Sequence, residues 1–246
     1  METASQFCHI RGEHFLETRN LTKTYVMGSE TVYALRDVSF LALQGDFVVI
    51  NGPSGSGKTT FLNLISVIDR PTSGEVLIEG RETSVLSENQ LSALRKSLIG
   101  LIFQSFNLIP VLSAAENIEY PLLLQRLDKT ERQQRVRRLL AEVGLESMAS
   151  RRPNELSGGQ RQRVAIARAL ITQPRIVLAD EPTANLDSET GAAVMNLMRS
   201  LNNDHCVTFL VVTHDPAVSE YARRHVRILD GRIEEGDQHV VVDSTS

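Results

Sequence analysis

Apolar residues fall into two kinds of pattern along this chain. Phe47–Ile50, Ile176–Ala179 and Val207–Val212 are short runs, apolar almost throughout. Runs of that length predict strands buried on both faces, as in a parallel sheet. Elsewhere the apolar positions recur at helical spacing. Phe61, Leu62, Leu64 and Ile65 follow the first run. Val164 to Leu170, and then Val194, Leu197, Met198 and Leu201, repeat in the same way. Each set predicts a helix with one face turned to a core. From His14 to Ile50, short β-patterned pieces are broken at Gly28-Ser29 and Gln44-Gly45, which predicts an antiparallel sheet leading into the first buried strand. A further strand is expected at Glu75–Glu79 and a closing hairpin at Ile228–Ile233. Residues from about 87 to 174 read as helix-rich. The order is that of an α/β protein: a parallel sheet, an antiparallel β subdomain and a helical subdomain over about 105–160. Residues 14–236 read as a single domain, with loose tails at 1–13 and 237–246.

Composition narrows the classes. The 246 residues suffice for a sizeable core. Lys+Arg is 26 against Asp+Glu 30, a net charge of −4, which argues against a nucleic-acid partner. The arginine-rich stretch Arg132–Arg138 carries Val136, Leu139, Leu140 and Val143 behind it. It predicts the polar face of an amphipathic helix, with Thr130 and Gln133 capping its start. Cys8 and Cys206 are far apart, with no C-x-x-C, so a reducing compartment and no disulfide or metal site are expected. The N-terminus lacks the apolar core of a signal peptide, and no run approaches the roughly 18 residues of a membrane span. A soluble, cytoplasmic chain is the expectation.

Three short segments carry chemistry. The first, Gly52-Pro53-Ser54-Gly55-Ser56-Gly57-Lys58-Thr59-Thr60, follows a buried strand and opens an apolar helix. Glycines at 52, 55 and 57 let the backbone turn its N–H groups inward toward phosphate oxygens, and the helix start adds its positive dipole end. Lys58 supplies a point charge for the β- and γ-phosphates, and the Thr59 hydroxyl is placed for Mg²⁺. The second is Asp180-Glu181, two carboxylates at the carboxyl end of a strand, where open α/β sheets bind ligands. Asp180 suits a Mg²⁺ ligand acting through a water, and Glu181 a general base for the attacking water. The third is Ser157-Gly158-Gly159-Gln160. Ser157 and Gln160 form a capping box. The two glycines weaken a helix by up to ~1 kcal/mol each, which suggests a backbone lying close to a ligand. With a phosphate cradle already at 52–59, this second anion site points to completion by another copy of the chain.

These segments carry a resemblance. Leu156–Leu170, LSGGQRQRVAIARAL, resembles the signature motif of ABC ATPases residue for residue, and the likeness runs from about Phe15 to Glu235. It implies a P-loop NTPase core, ATP and Mg²⁺ as cofactors, and a head-to-tail dimer in which Ser157, Gly158, Gly159 and Gln160 act in trans. Tyr25 then stacks on adenine. Gln104 corresponds to the Q-loop, which senses Mg²⁺ and the γ-phosphate and touches a membrane partner, so the Mg²⁺ set is Thr59, Gln104 and Asp180. Asn185-Leu186-Asp187 corresponds to the D-loop crossing the dimer interface, and His214 to the switch histidine on the γ-phosphate. Phe103–Pro110, Arg152–Gln160 and Asp180–Asp187 are similar to a bacterial branch serving lipoprotein release, macrolide-type efflux and cell division; Ala184 stands where that branch often has Gly. The implied partner is an integral membrane permease on another chain, which would hold this one at the inner face of the membrane. A cell-division complex that transports nothing is the alternative, and a soluble ATPase of DNA repair or translation a more distant one. Phe103 is expected in the core, and Leu108–Leu112 in a groove that accepts a short helix of the partner.

Overall fold

The computed structural model describes residues 14–125 and 127–234. Residues 1–13 and 237–246, read above as tails, lie outside that range. β1 (His14–Met27) and β2 (Glu30–Leu43) pair as a long antiparallel hairpin around Gly28-Ser29. With β4 (Ser73–Ile78) and β5 (Arg81–Glu82) they form a four-stranded sheet in the order β2-β1-β4-β5. The short apolar runs become the second sheet. β3 (Phe47–Asn51), β6 (Ile99–Ile102), β7 (Ile176–Asp180), β8 (Thr208–Thr213), β9 (Arg224–Leu229) and β10 (Arg232–Ile233) line up as β10-β9-β3-β8-β7-β6. All neighbours are parallel except the β9–β10 hairpin.

Side chains alternate across this sheet, which explains why its strands read as near-continuous apolar runs. Val48, Ile50, Leu178, Leu210 and Val212 point into one cluster, shared with the β1–β2–β4 sheet, helix α1 (Lys58–Ile65) and Leu91 of α2 (Glu88–Leu98). Phe47, Val49, Val177, Phe209 and Val211 point into the other. That second core is shared with α3 (Ala114–Leu123), α4 (Lys129–Glu142), α5 (Gly158–Leu170) and α6 (Ser188–His205).

Some expectations change. The stretch read as helix-rich contains β6, the edge strand beside β7. Only four residues long, it holds Gly100, where a Cβ would lie 2.4 Å from the Ala169 carbonyl oxygen, so the strand follows from α5 packing over it rather than from its own pattern. The cap of α4 is Asp128, whose carboxylate accepts from the N–H groups of Thr130 and Glu131 at 2.8 and 3.0 Å, not the Thr130/Gln133 pair. Val136, Leu139 and Leu140 are buried as the spacing predicts. Cys206 is disulfide-bonded, against the expectation of no disulfide; Cys8 lies outside the described residues. Among the described residues, no helix is long and apolar enough to cross a membrane.

Candidate active site

The candidate residues stand at the carboxyl ends of four neighbouring strands. Gly52 follows β3, Gln104 lies just beyond β6, Glu181 follows β7 and His214 follows β8. Sheet order, not sequence order, brings them side by side.

The loop after β3 turns into α1 at Gly57, which has φ 103 and would place a Cβ 2.3 Å from the Ala34 carbonyl oxygen. No other residue meets both conditions. Lys58 is buried, and its ammonium donates to the carbonyls of Gly52 and Pro53 at 2.7 and 2.9 Å, which arches it over the loop. Pro53, Ser54 and Gly55 form an exposed lip, while Thr60 is half-buried. The Ser56 hydroxyl oxygen is buried and lacks a hydrogen-bond partner among the described residues, as expected of a loop that closes around an anion.

Thr59 is exposed, and its hydroxyl lies 3.3 Å from one oxygen of Asp180 and 3.5 Å from the other. Burial raises the Asp180 carboxyl above its ordinary range; the nearby Glu181 charge adds to this, while the Thr59 hydroxyl and Lys58 oppose it. A hard cation would relieve that strain. Hydroxyl and carboxylate oxygens are the donors Mg²⁺ takes, so the pair fits the ion. No group of three or more His, Cys, Asp or Glu among the described residues could hold a metal by itself, so phosphate oxygens would complete the shell.

Glu181 is held more tightly than its position in the sequence suggests. Its φ is 48, and its N–H donates to the Val212 carbonyl at 2.9 Å. The Thr213 hydroxyl donates to Oε2 at 2.8 Å, and the His214 backbone N–H donates to Oε1 at 3.0 Å. His214 Nδ1 lies 2.6 Å from the same Oε1, a distance at which a ring N–H donates to the carboxylate. The Glu181 side chain is 13% exposed and that of His214 62%. The carboxylate is thus aimed by the tip of β8. Thr213 carries no role in the sequence reading, and nothing in the sequence signals one: it follows from the β7–β8 register, which pairs Asp180 with Val212 and leaves Thr213 opposite Glu181.

The remaining candidates sit around this centre. The Asn185 amide donates to the Gln104 carbonyl at 2.9 Å, tying the segment after Glu181 to the one after β6. Asp187 caps α6 by accepting from the Thr190 N–H at 2.9 Å. Tyr25 lies outside this cluster: its hydroxyl donates to Asp69 at 3.2 Å, and the Lys23 ammonium lies 5.1 Å from its ring centroid. The Ser157/Gln160 capping box forms as expected, with bonds of 3.3 and 2.9 Å. Among the described residues no hydrogen bond or ion pair joins Ser157–Gln160 to the 52–60 loop. Gln162, also missed in the sequence, is buried and donates to the Pro182 carbonyl at 2.7 Å, linking α5 to the residue after Glu181.

Gly159 has a reason within its own chain. A Cβ there would meet Thr190 Cγ2 at 2.4 Å. Gly159→Ala should therefore lower stability by about 1–3 kcal/mol through overpacking, and Thr190→Ser, which removes that methyl, should restore most of the loss. Unchanged thermal unfolding of Gly159→Ala would refute this.

Comparison with known proteins shows the family. Residues 35–184 match the family model described as ABC transporter. The ABC transporter ATP-binding protein MJ0796 of Methanocaldococcus jannaschii is 47% identical over 223 residues, 89% of this chain and 95% of that one. A dimeric structure of that cassette, in a post-hydrolysis state bound to ADP and Pi, is similar with a TM-score of 0.84 at 45% identity, covering 92% of this chain and 99% of that chain. The macrolide export ATP-binding/permease protein MacB of Syntrophobacter fumaroxidans is 46% identical over 221 residues, which span 89% of this chain and 31% of that protein.

Proposed function

The chain belongs to the ABC transporter family as an ATP-binding cassette with ATPase activity, and from that premise we propose that it energises a separate membrane protein by ATP-driven closure of a head-to-tail dimer. The observation that carries this reading is the divided site. Lys58, Thr59, Asp180, Glu181 and His214 converge at the strand ends, whereas the capped turn that begins at the exposed Ser157 makes no bond to them among the described residues. A relative that is dimeric with ADP and Pi bound supports a dimer as the working unit.

In this mechanism the loop N–H groups and Lys58 bind the phosphates of ATP, and Tyr25 stacks on its adenine. Ser157, Gly158 and Gly159 of the other copy bind the γ-phosphate from the opposite side. Mg²⁺, held by Thr59 and Asp180 with Gln104 nearby, would neutralise charge on the phosphates. Glu181 takes a proton from the attacking water, and His214 holds the Glu181 carboxylate and contacts the γ-phosphate. Loss of that phosphate removes the bridge between copies, and the dimer opens. Likeness to MacB, an ATP-binding/permease protein of macrolide export, supports a macrolide-type system. A permease on another chain, which would hold this one at the inner membrane face, is our reading, as is the lipoprotein-release variant of the system.

For the docking surface we propose a different groove from the Leu108–Leu112 segment expected from the sequence. Leu108 packs against the core, and Asn117 holds Ile109 by its N–H at 2.8 Å and its carbonyl at 3.1 Å. Phe103, expected in the core, is only half-buried because it forms the wall of a groove of about 290 Å³. Leu101, Asn107, Pro121, Leu124 and Arg168 also line that groove. Leu124 is 55% exposed there. A short helix of the permease would lie in this groove. Leu124→Glu should leave ATP affinity within about twofold of wild type while abolishing co-purification with the permease. Leu108→Glu should destabilise the chain itself. Retained co-purification of Leu124→Glu would move the docking surface elsewhere.

A further inference from the structure

The segment that follows Gln104 is gripped by α5. Phe106 and Asn107 both have left-handed backbones, with φ 62 and 48. Two consecutive non-glycine residues in that region are strained and persist only where surrounding structure holds them. The holder is Arg168, in the last turn of α5. Its guanidinium donates to the Phe106 carbonyl at 2.8 Å and to the Asn107 carbonyl at 2.6 Å. A planar fork of two N–H groups matches two successive carbonyls, which an ammonium on a flexible stem does not. Arg161, two turns earlier on α5, places its guanidinium 5.1 Å from the Phe106 ring centroid, and Phe106 is buried beneath it. On the other side, the Asn185 amide holds the Gln104 carbonyl. Gln104 is therefore pinned at its own carbonyl and again two and three residues later.

We propose that Arg168 is a positioning residue for Gln104: by bracing the Phe106–Asn107 turn it sets where the Gln104 side chain stands at the nucleotide. The proposal rests on the reading that Gln104 reaches the nucleotide. It gives α5 a second task. The cap and first turn of α5 carry Ser157–Gly159, which face the other copy's nucleotide in the proposed dimer, and the last turn grips the segment that follows this copy's own Gln104. Movement of α5 as a rigid rod on dimer closure is thereby delivered to Gln104, and to Asn107 in the wall of the docking groove.

A double-mutant cycle on the full chain tests this, using Arg168→Met, Gln104→Ala and their combination, with ATP affinity, kcat, KM and thermal unfolding measured for each. Arg168→Met keeps the aliphatic stem and loses both bonds. It should lower kcat about tenfold, as a misplaced positioning group does, with KM and ATP affinity within about twofold of wild type. Arg168→Lys should recover part of the rate. In the Gln104→Ala background Arg168→Met should cost less than about twofold more, because its effect passes through Gln104. Full and additive loss in both backgrounds, or a normal kcat for Arg168→Met beside an impaired Gln104→Ala, would overturn the proposal and leave the Gln104 reading intact. A normal kcat for Gln104→Ala would overturn that reading, and the proposal with it. Should Arg168→Met fail to fold, Arg168→Lys carries the same cycle on a chain that keeps the charge but loses the planar fork.

Discussion

Glu181→Gln is expected to lower ATP hydrolysis by roughly 10²-fold or more while ATP still binds and holds the dimer closed. The structure explains why Gln, rather than Ala, isolates the base. One Glu181 oxygen accepts from both the backbone N–H and the ring of His214, and the other accepts from the Thr213 hydroxyl. A glutamine can keep its carbonyl oxygen toward His214 and turn its NH₂ toward Thr213, whose hydroxyl can also accept. Shape and His214 placement survive, and only the basic oxygen is lost. Glu181→Ala would release His214 as well and confound two effects. The measurements are single-turnover hydrolysis and the ATP-dependent change from monomer to dimer by light scattering. Turnover at the wild-type rate in Glu181→Gln would exclude Glu181 as the base.

The second large effect is complementation between two inactive chains. Lys58→Ala removes the phosphate-binding ammonium, and Ser157→Arg places a bulky side chain at the exposed start of α5. Each homodimer should be inactive. A dimer with one chain of each kind should regain up to about half of wild-type hydrolysis, because a head-to-tail pair has two equivalent composite sites and one of them remains intact. Ser157→Arg also removes a helix cap, a loss of about 0.5–2 kcal/mol, so its thermal unfolding is measured alongside. If nucleotide and signature turn met within one chain, both sites of the mixed dimer would be dead. An inactive mixed dimer, correctly folded and correctly paired, would therefore reject the head-to-tail arrangement.

Much of this molecule could be read before its structure. Phe47–Ile50 and Ile176–Ala179 announced strands buried on both faces because unbroken apolarity over so few residues has few other uses. The 52–60 loop, the Ser157/Gln160 capping box and the buried face of α4 are local too: each depends on residues within a few positions of one another, so spacing alone carries them. β6 was not legible, since a four-residue strand containing Gly100 has too little pattern to outweigh the helices around it. Nor was the cap of α4, where Asp128 lies two residues before the threonine that seemed the better candidate.

What only the tertiary structure decided is how distant segments hold one another. The sequence alone established a phosphate loop, a carboxylate pair and a capped glycine turn, and their order alone pointed to the family. It could not show that Thr213 and His214 grip Glu181, since that follows from the register between β7 and β8. It could not show that Asn185 and Arg168 brace the segment after Gln104, or that Gly159 must be small because Thr190 lies against it. The physical reason is common to all of these. A local motif is selected by the backbone conformation of neighbouring residues, whereas the register of parallel strands and the seating of a helix on a sheet depend on packing summed over residues far apart in the chain.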